Sequence, residues 1–189
     1  MTKPCTVPEP PFRLDGQGLV LREWTDEDLP AMPALFDDPD VARWTPLASP
    51  FDAEAARLYL ERAREAREAG RRLQLVVTAD GGAPLGEVML MLKDVDGEVE
   101  IGYAIGAAHR GRGLAAAGVR LLTELAHDRL GADRVILRID PDNAPSAAVA
   151  RAAGFRLADE PPVVIQDPDG GEIVLRIWER LNPTGSGSH

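Results

Sequence analysis

A chain of 189 residues is the size of one domain with a full hydrophobic core, and 44% apolar with 28% charged side chains is ordinary globular composition. The 31 acidic side chains outnumber the 21 basic ones, and a net charge of −10 speaks against a general nucleic-acid binder. No apolar run approaches the roughly 18 residues of a membrane-spanning helix, no charged-then-apolar leader opens the chain, and the one cysteine, Cys5, excludes an internal disulfide and fits a reducing cytoplasm. Pro4, Pro8, Pro10 and Pro11 mark residues 1–14 as a flexible arm, a poor place for Cys5 to act as a nucleophile. A single domain is expected over 15–181, and a Gly/Ser-rich, disordered tail over 182–189 whose Gly-Ser-Gly-Ser-His ending reads as an appended expression tail.

In chain order, Leu19 to Glu23 reads as the first strand. Thr25 then caps a helix with acids in its first turn, running to about Phe36, with Pro33 tolerable only near its start. Residues 37–51, with Trp44-Thr45-Pro46, form a connector without periodicity, and Asp52 caps a second helix whose Ala55, Ala56, Leu58, Tyr59 and Ala63 supply an inward face. The mixed charges between Arg57 and Arg72 read as its solvated side. Leu73–Thr78, Pro84–Leu92 and Glu98–Gly106 are three strands joined by turns at 79–82 and 94–97, an antiparallel meander. A basic glycine turn follows, His109-Arg110-Gly111-Arg112-Gly113. Then come a helix with Leu114, Leu121, Leu122, Leu125 and Leu130 on one face, a strand from Arg134 to Asp140, and a short Ala-rich helix ending at Gly154-Phe155. Val163–Gln166 and Glu172–Glu179 close the chain as a strand pair around residues 167–171.

The turn at 109–113 carries the chemistry. The first amides of a helix lack intrahelical partners and sit at the positive end of its dipole, so the end attracts phosphate. Gly111 and Gly113 remove side chains that would hold a pyrophosphate off the backbone, and Arg110 and Arg112 add guanidinium forks. Gly111-x-Gly113-x-x-Ala116 also satisfies the dinucleotide fingerprint, with Asp140 ending the next strand. Yet four residues separate its first glycine from the preceding strand, Asp140 lies beyond the usual interval of about 20 residues, and little chain remains for a catalytic domain.

Arg110-x-x-Gly113-x-Ala115 resembles the Q/R-x-x-G-x-G/A signature of the GCN5-related N-acetyltransferases (GNAT). Glu100-Ile101-Gly102-Tyr103 before it, and Asn143-x-x-Ser146 with Gly154-Phe155 after it, resemble the branch of ribosomal-protein N-terminal acetyltransferases (RimJ/RimL-like), over about residues 15–180. The resemblance implies an α/β fold with a mixed, mostly antiparallel sheet of about six to seven strands flanked by about four helices. It implies direct acetyl transfer from acetyl-coenzyme A to a primary amine, on a small molecule or a peptide, with no metal, no nucleic acid and no membrane, in a chain open to homodimerisation. A non-catalytic module that binds acyl-coenzyme A is the alternative.

Residue by residue, the resemblance places the pyrophosphate on Arg110, Gly111, Arg112, Gly113, Leu114 and Ala115, and lays the pantetheine along the backbone of Tyr103, Ala104 and Ile105, the Ile105 amide facing the acetyl carbonyl. Gly102, Ala104 and Gly106 would leave a groove on the face that a regular strand shares with Glu100, the expected general base, with Glu87 in reserve. By the same resemblance Asn143 lies beside the pantetheine and Ser146 protonates the departing thiolate, although both also suit the start of a helix. The tyrosine that many relatives carry seven residues after this asparagine is Ala150 here. Arg151 suits either a coenzyme phosphate or a helix surface, and Trp44, Phe36 and the loop at Pro161 are candidates for the acceptor entrance, with core packing the alternative for the aromatics. His109 and His127 lack companions for a metal site.

Overall fold

Period-two patterning at the centre of the chain becomes a mixed sheet in the computed structural model, which describes residues 5–166 and 170–183. The α/β class with a mostly antiparallel sheet holds, with nine strands and five α-helices among the described residues rather than six or seven and four. The two strands not expected are short. Strand β1 (Arg13–Gly16) folds back on β2 (Leu19–Glu23) through Gln17 and Gly18, both at positive φ, the conformation of a two-residue hairpin turn. Strand β7 (Arg156–Leu157) pairs with the last strand, β9 (Glu172–Leu181). β1 begins at Arg13, and Cys5 and Val7, within the segment expected to be a flexible arm, pack against the core. Residues 167–169 at the expected turn, and 184–189 of the expected tail, lie outside the described residues.

Prolines explain the departures among the helices. The expected helix at 25–36 divides into a 3-10 turn, Asp26–Ala31, and the short α1 (Met32–Phe36), because Pro30 and Pro33 each remove an amide donor. The connector contains an unexpected helix, α2 (Pro39–Trp44), started by Asp38, whose carboxylate accepts from the amides of Asp40 and Val41 ahead of Pro39 at the first helical position. Helix α3 (Ala53–Glu68) is capped by Asp52 as expected.

The sheet runs β1-β2, then β3 (Arg72–Thr78), β4 (Gly86–Leu92), β5 (Glu98–Ile105) and β6 (Arg134–Ile139), with β9 inserted between β6 and β7, and β8 (Val163–Gln166) paired to β9. Among the described residues only β5 and β6 are parallel, joined by the crossover helix α4 (Leu114–Asp128). One core lies between the sheet and α4, with α5 (Ala144–Ala152) alongside; it contains Val88, Leu90, Val99, Ile101, Leu122 and Leu125. A second core on the opposite face holds Trp24, Phe36, Phe51, Leu60 and Val76 under α1, α2 and α3. Successive strand residues serve opposite cores, so Val88 belongs to the α4 side, and its neighbour Glu87, paired with Val76, to the other.

Gly86 locks the end of β4 to the end of β5. A Cβ there would sit 2.5 Å from the Ala104 carbonyl oxygen and 2.8 Å from Ile105 Cα. Gly86→Ala is therefore expected to cost about 1–3 kcal/mol through forced separation of backbones, measured as a lower urea midpoint at unchanged slope.

Candidate active site

The site begins where two strands part. Strand β5 pairs with β4 over all but its first residue, from Val99↔Leu92 to Ile105↔Gly86. Its parallel pairing with β6 covers only Glu98↔Arg134, Val99↔Val135 and Glu100↔Ile136, although both strands continue beyond it. The β6-facing edge of the second half of β5 thus leaves this ladder with backbone groups available to an extended ligand. The mouth of this fork opens into a cleft of about 490 Å³ that also meets α2, the turn after β5 and α5.

The turn holds its glycines in the conformation that favours glycine: Gly111 has φ 73° and Gly113, which caps α4, has φ 74°. A Cβ added to either would meet nothing within 4 Å, so the space above both is open. No acidic side chain occupies the first turn of α4, and no side chain caps its amides. An open backbone cradle at the positive end of a 15-residue helix fits an anionic group of pyrophosphate size.

The family description "acetyltransferase (GNAT) domain" matches residues 18–156, which include the fork, the turn and α5. The chain is a GNAT acetyltransferase. That membership makes it an acyltransferase and removes the dinucleotide reading of Gly111 and Gly113. Among curated proteins, this acetyltransferase is 24% identical over 140 residues to the uncharacterized N-acetyltransferase p20 of Bacillus licheniformis, across 73% of this chain and 79% of the relative. Its solved structural neighbours include ribosomal-protein acetyltransferases. The ribosomal-protein-S5-alanine acetyltransferase of Vibrio fischeri superposes with a TM-score of 0.74 at 17% identity, covering 93% of this chain and 100% of the other. RimJ of Mycobacterium smegmatis, in complex with CoA-disulfide, gives 0.75 at 19%, covering 94% and 89%.

Most site residues expected from the sequence line the one cleft. Tyr103, Ala104 and Ile105 come from β5, and Arg110, Gly111, Gly113, Leu114 and Ala115 from the turn and the start of α4. Asn143 and Ser146 come from the first turn of α5, where the Asn143 carboxamide accepts from the Ser146 amide at 3.1 Å, so capping and lining are the same placement. Arg112 is exposed and lies outside the lining. Arg151 points away, over the Trp178 ring at 5.1 Å. Of the entrance candidates, Trp44 lines the cleft, Phe36 is buried in the second core, and Pro161 is exposed away from it. His127 Nδ1 faces the Ala132 carbonyl, and no cluster of three or more metal-ligating side chains occurs among the described residues.

The two carboxylates considered for proton removal stand differently. Glu100 is buried outside the cleft lining, on the face it shares with Gly102 and Ala104, and both its oxygens are engaged by cations: Lys93 Nζ at 2.9 Å and Arg138 Nε at 2.8 Å. This pairing bridges the strands just where β5 and β6 separate. Glu87 is paired across the ladder with Ala104 and fully buried, with no cation in hydrogen-bond contact among the described residues. Its partners are Trp24 Nε1 at 2.6 Å, the Tyr59 hydroxyl at 2.5 Å and Gln74 Nε2 at 3.4 Å. Burial pushes the Glu87 carboxyl above its ordinary value against the pull of those donors, and pushes the Tyr59 phenol well up.

Sequence reasoning missed a clasp across the cleft. Arg110 reaches Asp38 at 2.7 Å and Asp40 at 3.0 Å, both at the start of α2, while its Nε donates to the Ile105 carbonyl at 3.1 Å. The Arg110 guanidinium, aided by the first amides of α2, holds Asp38 below the usual carboxylate range. The available signal was Asp38-Pro39, a cap followed by proline at the first helical position.

Proposed function

We propose that this acetyltransferase moves an acetyl group directly from acetyl-coenzyme A to a primary amine, with a protein N-terminal α-amine or a small-molecule amine as acceptor, in the cytoplasm. The observation that carries the reading is the fork between β5 and β6 opening onto the Gly111–Gly113 turn, an extended slot that ends in an anion cradle. Arg110 and the first amides of α4 would hold the pyrophosphate, and the free edge of β5 would bond the pantetheine. The Ile105 amide would polarise the acetyl carbonyl, and Ser146 would return a proton to the thiolate. An α-amine, with a pKa near 8, loses its proton more readily than a lysine amine near 10.4; the Glu-Ile-Gly-Tyr and Asn-x-x-Ser motifs favour the same class of acceptor.

Melting with and without acetyl-coenzyme A, with NAD for comparison, tests the donor. Saturation at 100 times the dissociation constant should add about 2.7 kcal/mol, a shift of several degrees. Thiol release across a panel of peptide and small-molecule amines then tests transfer. A shift with NAD alone overturns the donor, and binding without transfer to any amine leaves a binding module. The clasp gives a further expectation. Asp38→Asn/Asp40→Asn keeps a competent cap at position 38 while freeing Arg110 for phosphate. Calorimetry should show coenzyme A binding a few-fold tighter, in line with about 0.2–1 kcal/mol for each exposed pair.

A further inference from the structure

We infer that Tyr103 supplies the proton that Ser146 passes to the departing thiolate, replacing the acid that Ala150 cannot provide. This rests on the acetyl-transfer reading above and concerns which groups complete it. Tyr103 lies on β5 in the half of the strand that has left β6, and both Tyr103 and Ser146 line the cleft. The phenol oxygen is buried and has no hydrogen-bond partner among the described residues. A buried hydroxyl without a partner is costly to keep and calls for a role. The Ser146 hydroxyl is near enough to draw the phenol pKa back down against the rise that burial imposes, although no hydrogen bond between them is formed. Tyr103 therefore stays protonated at neutral pH, in the form that donates. Ala150, which stands where a tyrosine would otherwise come from α5, is completely buried in the core and carries no acid.

The chemistry favours two hydroxyls over one. A serine that gives up its proton alone is left as an alkoxide, a far stronger base than the thiolate it has served. A phenol, ordinarily near 10 and here raised by burial, remains a far better proton source than an aliphatic hydroxyl for the thiolate of a thiol ordinarily near 8.5. As the C–S bond breaks, Ser146 Oγ gives its proton to the sulfur and Tyr103 Oη gives its own to Ser146 Oγ. The phenolate recovers a proton from water after the cleft empties. The amine sheds one proton in becoming an amide and the thiol takes up one, so the cycle balances. Tyr103 acts through Ser146 and is a positioning and relay residue.

Tyr103→Phe keeps the ring and its packing and removes only the oxygen. With the acceptor found in the amine screen, kcat is expected to fall about tenfold, less than the roughly hundredfold floor for a group acting directly. Coenzyme A binding by calorimetry should be unchanged, and the melting temperature should be no lower, since a costly unpartnered hydroxyl is removed. The decisive readout is the double variant: Tyr103→Phe/Ser146→Ala should be no slower than Ser146→Ala, because a relay is broken once. A purely structural phenol would lower stability or coenzyme affinity instead. Unchanged kcat in Tyr103→Phe, or losses that multiply in the double variant, overturn the inference while acetyl transfer by the unmodified chain stands. An unmodified chain that binds coenzyme A but acetylates nothing overturns the transfer reading first, and this one with it.

Discussion

Gly113→Glu is expected to abolish coenzyme binding while leaving the protein folded. Two effects at one position produce this. Gly113 sits at φ 74°, where any L side chain costs about 1–2 kcal/mol, and the space where its Cβ would project is open. The fold therefore tolerates added atoms, but those atoms and a carboxylate then fill the place proposed for the pyrophosphate. For the free protein, a negative charge at the first turn of α4 is favourable to the helix dipole and offsets part of the backbone strain. Calorimetry should show the dissociation constant for coenzyme A raised by on the order of a hundredfold or more, above 2.7 kcal/mol, with only a small change in melting temperature. Gly113→Ala separates the causes: it carries the strain without the charge, so it should lower stability by about 1–2 kcal/mol and, because that strain is shared by free and bound protein, weaken binding no more than about tenfold. Retention of coenzyme binding within tenfold by Gly113→Glu would remove the basis for placing the phosphates at this turn.

The same turn shows what a sequence can and cannot convey. Gly111 and Gly113 were readable because a left-handed backbone narrows the choice of residue almost to one, so their conformation is written in their identity. The alternation of Val99, Ile101, Tyr103 and Ile105 likewise marked a regular strand, and Glu100 does share the face of Gly102 and Ala104. What alternation does not carry is the neighbour across the gap. Lys93 follows the preceding strand and Arg138 belongs to β6, far along the chain, and they meet on Glu100 only because the sheet assembles there. Arg110 is a similar case: its place in the motif was legible, whereas its hold on Asp38 and Asp40 depends on a six-residue helix that forms by a cap and a proline rather than by periodicity. Short β1 and β7 escaped for the opposite reason, since two to four residues hold too little pattern for a period.

Long-range assembly also sets the two carboxylates apart, and Glu87→Gln against Glu100→Gln tests which of them removes the proton. With both oxygens on cations, Glu100 suits bracing the strand fork; we propose proton removal by Glu87, whose surroundings raise its basicity and whose ladder partner Ala104 lines the cleft, although the Glu87 carboxylate, like that of Glu100, lies outside the lining. Steady-state transfer should fall about a hundredfold or more in kcat for Glu87→Gln, the usual contribution of a general base, and much less for Glu100→Gln. Equal losses, or a loss confined to Glu100→Gln, return the role to Glu100.

A stability measurement on Glu87 stands apart from any acceptor. Its folded pKa is raised, so below the ordinary carboxyl value of 4.5 both the folded and the unfolded chain hold the proton and its contribution is fully present. As pH rises past that value the unfolded chain ionises first, and stability is lost at up to about 1.4 kcal/mol per unit until the raised folded pKa is reached. Asp28 and Asp38, whose folded values are lowered, slope the other way at more acid pH, so the difference between the parent chain and Glu87→Gln isolates the term. Urea midpoints taken upward from pH 4.5 should show the parent losing ground relative to Glu87→Gln. Parallel curves for the two proteins would mean that Glu87 titrates as an ordinary carboxylate, and its claim to unusual basicity would fall with that result.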